Sequence, residues 1–177
     1  MWKEFKPVVF FLLRFLGIYL AGNLCYGLFV THYHPGVDPI TFSVTRQVSW
    51  LLNLFGYHTF VTTVANKHVA DLQTPLLTAL SVYEGCNGIN VWIIFCAFLF
   101  AMGPVKKKMF YFLGWGTLAI HLSNLLRLSF LFFVSVYLPN FWYFMHKYLF
   151  TAILYLVVFT LWIVWVRMHI SKNEQQG

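Results

Sequence analysis

Four long apolar stretches, separated by polar and basic patches, set the pattern of this chain. The first covers about residues 8 to 30, VVFFLLRFLGIYLAGNLCYGLFV, after Lys3 and Lys6. A hydrocarbon core about 30 Å thick takes about 20 apolar residues in a helix, so this run predicts a membrane span. It exceeds the apolar core of a secretory signal and no small-residue cleavage site follows it, which predicts a retained anchor. The second run, GINVWIIFCAFLFAMGPV, covers about 88 to 105 and stops at Lys106, Lys107 and Lys108. The third, about 109 to 138, is long for one crossing and predicts a helix that tilts or projects beyond the bilayer. The fourth, about 148 to 168, ends in Arg167, His169 and Lys172.

Between the first two runs, residues 31 to 87 change character. HPGVDP at 34 to 39 reads as a turn. SVTRQVSWLLNLFG reads as an amphipathic helix lying in the membrane interface. After Gly56, TFVTTVANKHVADL and TALSVYEG carry β-branched and aromatic residues in loose alternation and predict a two-stranded hairpin. The tail SKNEQQG reads as disordered. The expectation is one integral membrane domain over residues 1–177: an all-α polytopic protein of about four spans, an outer interfacial helix and a small extracytoplasmic β-hairpin.

Composition supports the membrane assignment. Apolar types make up 60% and charged types 10% of the 177 residues, whereas a soluble domain needs about a quarter charged. The net charge of +7 does not point to nucleic acid, because the cations sit at the ends of apolar runs rather than on one polar face with aromatics between them. They fix an orientation instead. With both termini and the triple-lysine loop in the cytoplasm, that side holds Lys3, Lys6, Lys106, Lys107, Lys108, Arg167 and Lys172, and the other only Arg46, Lys67 and Lys147. Segment 31–87 then lies outside.

Three chemically useful side chains fall at one depth. Cys86, in EGCNGINV, immediately precedes the second span at its outer end. Arg127 comes eighteen positions after Met109, a rise of roughly 27 Å from the cytoplasmic end. His146 lies just before the fourth span, in the aromatic belt NFWYFMHKY. A thiol at a helix N-terminus is activated by the helix dipole and by a nearby guanidinium. A histidine within reach serves as base toward the thiol and acid toward a leaving amine. Arg127 alternatively holds an oxyanion. Asn87 and Gly88 supply a cap and close backbone approach, and Glu84 either orients His146 or binds Arg127.

Blander roles stand beside these. His121, Asn124 and Arg127 form an i, i+3, i+6 stripe of the kind that ties helices together. Arg14 reads as a snorkelling cation. Cys25 and Cys96 read as small hydrophobes, with a Cys25–Cys86 disulfide left open. His32 and His34 form an H-x-H pair with no carboxylate or cysteine nearby to complete a metal set, and neither metal nor cofactor is expected.

EGCNGINV opening an apolar helix, SNLLRLSFLF about 40 residues later and a histidine before the last span together resemble the exosortase and archaeosortase family, and most of all the small exosortase F group of Bacteroidetes. The likeness covers about residues 45 to 165 and maps the family's motifs to Cys86 with Gly88, Asn124 with Arg127, and His146. Asn87 replaces the usual small residue between Cys and Gly, and the extra spans of larger relatives are missing. The resemblance implies a cysteine protease or transpeptidase of the bacterial inner membrane. Its substrates would be exported proteins ending in a recognition motif, a membrane helix and a basic cluster, and its acceptor an amine or lipid. It leaves open a small membrane partner. The rival class is a non-catalytic transporter or assembly subunit whose polar cluster packs helices or binds lipid.

Overall fold

The computed structural model describes residues 2–64, 67–103 and 105–173. The chain runs through α1 (Trp2–His32), α2 (Pro39–Leu54), the strands β1 (Phe60–Thr63), β2 (Val69–Gln73) and β3 (Thr78–Tyr83), and a 3-10 turn at Glu84–Cys86. There follow α3 (Ile89–Met102), α4 (Lys107–Tyr137), a 3-10 turn at Pro139–Phe141, the single turn α5 (Trp142–Phe144), a π-helical turn at Met145–Leu149 and α6 (Phe150–Asn173). Among the described residues, three segments are long and apolar enough to cross a membrane: Phe5–His32, Lys107–Tyr137 and Pro139–Met168. The fold is that of a helical membrane protein carrying a small sheet. The second apolar run of the sequence forms only the 14-residue α3, about 21 Å long at 1.5 Å per residue.

Two cores divide the molecule. Phe95, Leu99, Met109, Ile120, Leu154 and Val158 join α3, the first half of α4 and α6. Val44, Val48, Leu52, Leu72, Leu80, Leu128, Leu131 and Phe132 join α2, the sheet and the second half of α4, with Cys86 among them. The length of α4 follows from this: its first half belongs to the helical bundle and its last turns extend into the cap formed by α2 and the sheet. α1 packs along α3 through a half-buried stripe that includes Phe11, Phe15, Ile18, Gly22 and Tyr26, and exposes its other faces.

The cap differs from the expected one in two respects. The sheet has three antiparallel strands in the order β1-β2-β3 rather than a two-stranded hairpin. Phe60 pairs with Gln73 and Thr63 with Ala70, while Val69 pairs with Tyr83. The run read as one strand thus contains two, and Thr74 closes the second reversal, accepting Leu77 N–H on its Oγ1 at 3.2 Å. Second, α2 is more than an interfacial helix. Thr41, Val44, Thr45, Val48, Ser49 and Leu52 are buried along one face, against α4 and the sheet. Its start is set by Asp38, whose Oδ1 accepts the N–H groups of Ile40 and Thr41 at 3.0 and 2.9 Å, and by Pro39 at the first helical position. Its end is locked to β1: Thr59 N–H donates to Asn53 Oδ1 at 2.7 Å, and Asn53 Nδ2 returns a bond to Thr59 O at 2.9 Å.

At the carboxyl end, the helical path begins at Pro139, nine residues before the expected start of the fourth span, because the aromatic belt itself coils. Within the tail expected to be disordered, Ser171–Asn173 continue α6, and 174–177 lie outside the described residues. All three cysteines are free, Cys25 exposed and Cys86 and Cys96 buried, so the disulfide left open does not form. Arg14 is exposed on α1.

Candidate functional site

The polar residues of the sequence meet where the two cores join. β3 ends at Tyr83, the chain makes one 3-10 turn through Cys86, and Gly88 then takes a left-handed conformation at φ 88° to launch α3. Asn87 shapes this corner. Its Oδ1 caps the new helix by accepting Ile89 N–H at 3.0 Å, while its Nδ2 donates to Tyr26 Oη at 2.6 Å and Thr41 Oγ1 at 2.9 Å. Both amide hydrogens and the carbonyl oxygen of this buried side chain are therefore satisfied, which ties the corner to α1 and α2 at once. Gly88 is needed for a second reason besides its positive φ. A Cβ there would stand 3.2 Å from both Cγ and Nδ2 of Asn124.

Asn124 crosses the interface from α4. It is 1% exposed, and its Nδ2 donates to the Cys86 carbonyl at 3.1 Å while its Oδ1 accepts from Arg127 Nη1 at 3.3 Å. One side chain thus holds both the backbone of the cysteine and the guanidinium beside it. The stripe faces protein along its whole length, because His121, one turn before Asn124, meets Gln47 Oε1 of α2 through Nε2 at 2.8 Å.

Around the Cys86 sulfur, His146 Nε2 lies at 3.6 Å and Arg127 Nη2 at 4.0 Å. Both are sulfur hydrogen-bond distances, and the three groups come from three separate segments. His146 sits in the π-helical turn that leads into α6. Its ring stacks on Trp142 with centroids 5.5 Å apart and planes 19° from parallel, and its carbonyl accepts from Thr151 Oγ1 at 3.1 Å. A wider turn adds one residue to the ring of the helix and rotates the side chains that follow, which is how π turns re-aim functional groups.

Glu84 takes neither expected role. Its side chain is half-buried and, among the described residues, has no ion pair with Arg127 and no hydrogen bond to His146; only its carbonyl is engaged, 3.4 Å from Tyr26 Oη. With no carboxylate beside it, the Arg127 cation faces the sulfur, and its Nε lacks a hydrogen-bond partner among the described residues. The pair His32 and His34 does not join the site: His34 lies against His68, ring centroids 3.8 Å apart, and His32 against Tyr33.

Several neighbours escaped the sequence reading. Thr41 and Trp142 carry no local motif, since an apolar-flanked threonine and a belt tryptophan look alike wherever they occur. Tyr26 adjoins Cys25 near the end of its span, and that depth was the one available signal. Tyr83 lies beside the cysteine turn. Its hydroxyl is held above the usual tyrosine range, first by the electrostatic influence of neighbouring Cys86 and then by burial.

Chemically, an imidazole within reach of a thiol is placed to take its proton during attack, and a guanidinium beside it to stabilise negative charge, which is the arrangement that nucleophilic cysteine chemistry uses. No family model, curated protein or solved structure matches the chain.

Proposed function

We propose that the chain is a membrane-embedded cysteine protease or transpeptidase that cleaves the carboxyl-terminal sorting tails of exported proteins. The observation that carries the reading is the convergence of His146 and Arg127 on the Cys86 sulfur, at 3.6 and 4.0 Å, from segments far apart in sequence. Cys86 passes its proton to His146 and attacks the scissile carbonyl carbon. The tetrahedral oxyanion is stabilised by Arg127. His146 returns the proton to the departing amine, leaving a thioester on Cys86 and a free tail. An acceptor amine, or water, then loses a proton to His146, attacks the thioester and releases the thiol.

In this reading α3 is a fourth crossing. Its 14 residues fall short of a 30 Å core, and the mismatch is met by local thinning and by the walls of α1, α4 and α6 around it. The distribution of basic residues supports an orientation with both termini and Lys106–Lys108 in the cytoplasm and the sheet, α2 and the cysteine on the outer side, and the proposed activity assigns the membrane as a bacterial inner membrane. A substrate whose own tail helix spans the bilayer then presents its scissile bond at the level of the sulfur.

The test is Cys86→Ala and Cys86→Ser against a tail-bearing substrate, with mass spectrometry of the wild-type chain for an acyl adduct on Cys86. Loss of processing with intact expression and a thioester on Cys86 is the expected result. Unchanged processing by either variant overturns the peptidase reading and favours a non-catalytic subunit.

A further inference from the structure

α4 and α6 pack side by side, and both belong to segments long and apolar enough to cross a membrane. Between them lies a hollow of about 330 Å³. Ser123, Leu126, Arg127 and Phe130 line it from α4, spaced i, i+3, i+4 and i+7, so one helical face forms that wall. Phe150 and Ile153 line it from α6. Phe130 and Phe150 stack with centroids 6.1 Å apart and planes 19° from parallel, which closes the end nearest the start of α6. Leu154, also in the lining, is buried, whereas Leu126 and Ile153 are 54% and 47% exposed. In a bilayer, a hollow with such lips opens sideways to the lipid.

Arg127 connects this hollow to the sulfur. It lines the wall and also donates through Nη2 to Cys86 Sγ at 4.0 Å, with Nη1 on Asn124 Oδ1 at 3.3 Å. Its Nε is buried and has no acceptor among the described residues, so the guanidinium brings one uncommitted N–H to the junction. A single N–H suits one peptide carbonyl. A phosphate draws on paired N–H groups, and two of the three nitrogens are already engaged.

Depth narrows the occupant further. Ser123 comes four positions before Arg127, about 6 Å nearer the cytoplasmic end of α4 in the proposed orientation. α6 begins at Phe150, four positions after His146. Whatever fills the hollow therefore lies deeper in the membrane than the sulfur, on the side of the scissile bond where the tail continues into its own helix. The space takes side chains of an adjoining helix rather than the helix itself, which is about 10 Å across. We propose that the hollow is the substrate's docking groove, filled from the lipid side by apolar side chains from the first two turns of the tail helix. This assignment, which rests on Cys86 being a nucleophile toward such tails, adds to that reading a lateral entry between α4 and α6. It also adds a preference for bulky apolar residues, three or four positions apart, just after the cleavage site.

The experiment uses the full chain carrying Cys86→Ala in lipid nanodiscs, so that docking is read without chemistry. The probe is a synthetic peptide with a polar outer segment, an apolar helix of about 20 residues and a basic end, carrying photo-leucine in turn at each position of the first three helical turns. Crosslinks mapped by mass spectrometry are expected on Leu126, Phe130 and Ile153, from probe positions three or four apart. Crosslinks confined to α1 or α3, or none on α4 and α6, overturn the proposal. Ile153→Trp narrows the hollow without touching the sulfur and is expected to raise the half-saturating peptide concentration about tenfold. Leu126→Trp takes its place if circular dichroism shows that Ile153→Trp does not fold, and an unchanged value in the folded variant overturns the proposal. Nanodiscs containing phosphatidylethanolamine with an acyl diazirine test the other occupant. Lipid crosslinks at Leu126 and Ile153 that the peptide removes support the groove, while crosslinks that persist at saturating peptide overturn it in favour of a lipid slot. The chain with Cys86 intact separates the two readings: a peptide docked in the hollow with no thioester on Cys86 supports the groove and removes the peptidase reading, and a thioester with crosslinks elsewhere does the reverse.

Discussion

The Sγ of Cys86 and the Nε2 of His146 lie 3.6 Å apart although sixty positions separate them in the chain. The contact depends on two local departures from regular geometry, a left-handed glycine at one end and a π turn at the other. Each can be perturbed without touching the reacting atoms.

Trp142 is the support for His146, stacked on it one turn earlier in the helical path. Replacing Trp142 with Ala frees the imidazole to leave the sulfur while every proposed reacting group remains. The expected outcome is a fall of about ten- to a hundredfold in acyl transfer from loss of orientation, with Trp142→Phe recovering most of it. Single-turnover rates with a tail peptide check this; equal losses in the Ala and Phe variants would rule out a stacking role.

Gly88→Ala strikes the other end. The substitution imposes a left-handed alanine, at a cost of about 1 to 2 kcal/mol, and sets its methyl 3.2 Å from the Asn124 amide. Since Asn124 also holds Arg127, the variant is expected to melt lower and to lose acyl transfer together. Thermal melts in detergent beside the transfer assay provide the measurement, and a Gly88→Ala protein with unchanged melting would show that the corner can relax.

How much of this arrangement was legible depended on the kind of pattern. The stripe of His121, Asn124 and Arg127 could be read because helical periodicity alone puts the three on one side, and each now contacts a protein group across that side. The capping role of Asn87 and the close approach at Gly88 were legible for the same reason, being consequences of local backbone chemistry. The role of Glu84 was not, because whether a carboxylate reaches a cation is decided by side-chain direction rather than by spacing. Nor was the sheet. TFVTTVANKHVADL has the alternation of one strand, and nothing in its pattern marks where it doubles back, yet the register of Thr63 with Ala70 requires it to. The π turn at His146 was equally hidden, since an extra residue in a helical turn changes neither composition nor polarity.

Asn124 is the side chain on which the halves of the site depend. Asn124→Ala leaves the Cys86 carbonyl without its donor and Arg127 Nη1 without its acceptor, at a depth where water does not replace them. Losing one partner of a buried hydrogen bond costs about 1 to 3 kcal/mol. The expected result is a lower melting temperature and a Cys86 thiol that alkylates more slowly at neutral pH, because the guanidinium is no longer held beside it. Asn124→Asp separates the effects: it keeps the acceptor for Arg127, loses the donor to the carbonyl, and introduces an anion close to the sulfur. Its thiol should therefore ionise at higher pH than that of Asn124→Ala. The opposite ordering in an iodoacetamide profile would mean that Arg127 does not influence the thiol through this contact.

The proposed orientation can be tested with thiol labels alone. Leu76 is 93% exposed in the reversal between β2 and β3, while Lys107 opens α4 at the far end of α3 from Cys86. In a background without native cysteines, Leu76→Cys in intact bacterial cells with a permeabilised outer membrane should react with a charged, membrane-impermeant maleimide. Lys107→Cys should react only after the inner membrane is opened. In the proposed orientation the lysine cluster stays inside, because moving each cation across the hydrocarbon core is unfavourable, so the contrast should be close to complete. Labelling of Lys107→Cys in sealed cells, with Leu76→Cys protected, would place Cys86 on the cytoplasmic side, where tails of exported proteins are not presented for cleavage after export. Labelling of both in sealed cells would mean that α3 does not separate the two compartments, and that its 14 residues lie within the cap rather than across the bilayer.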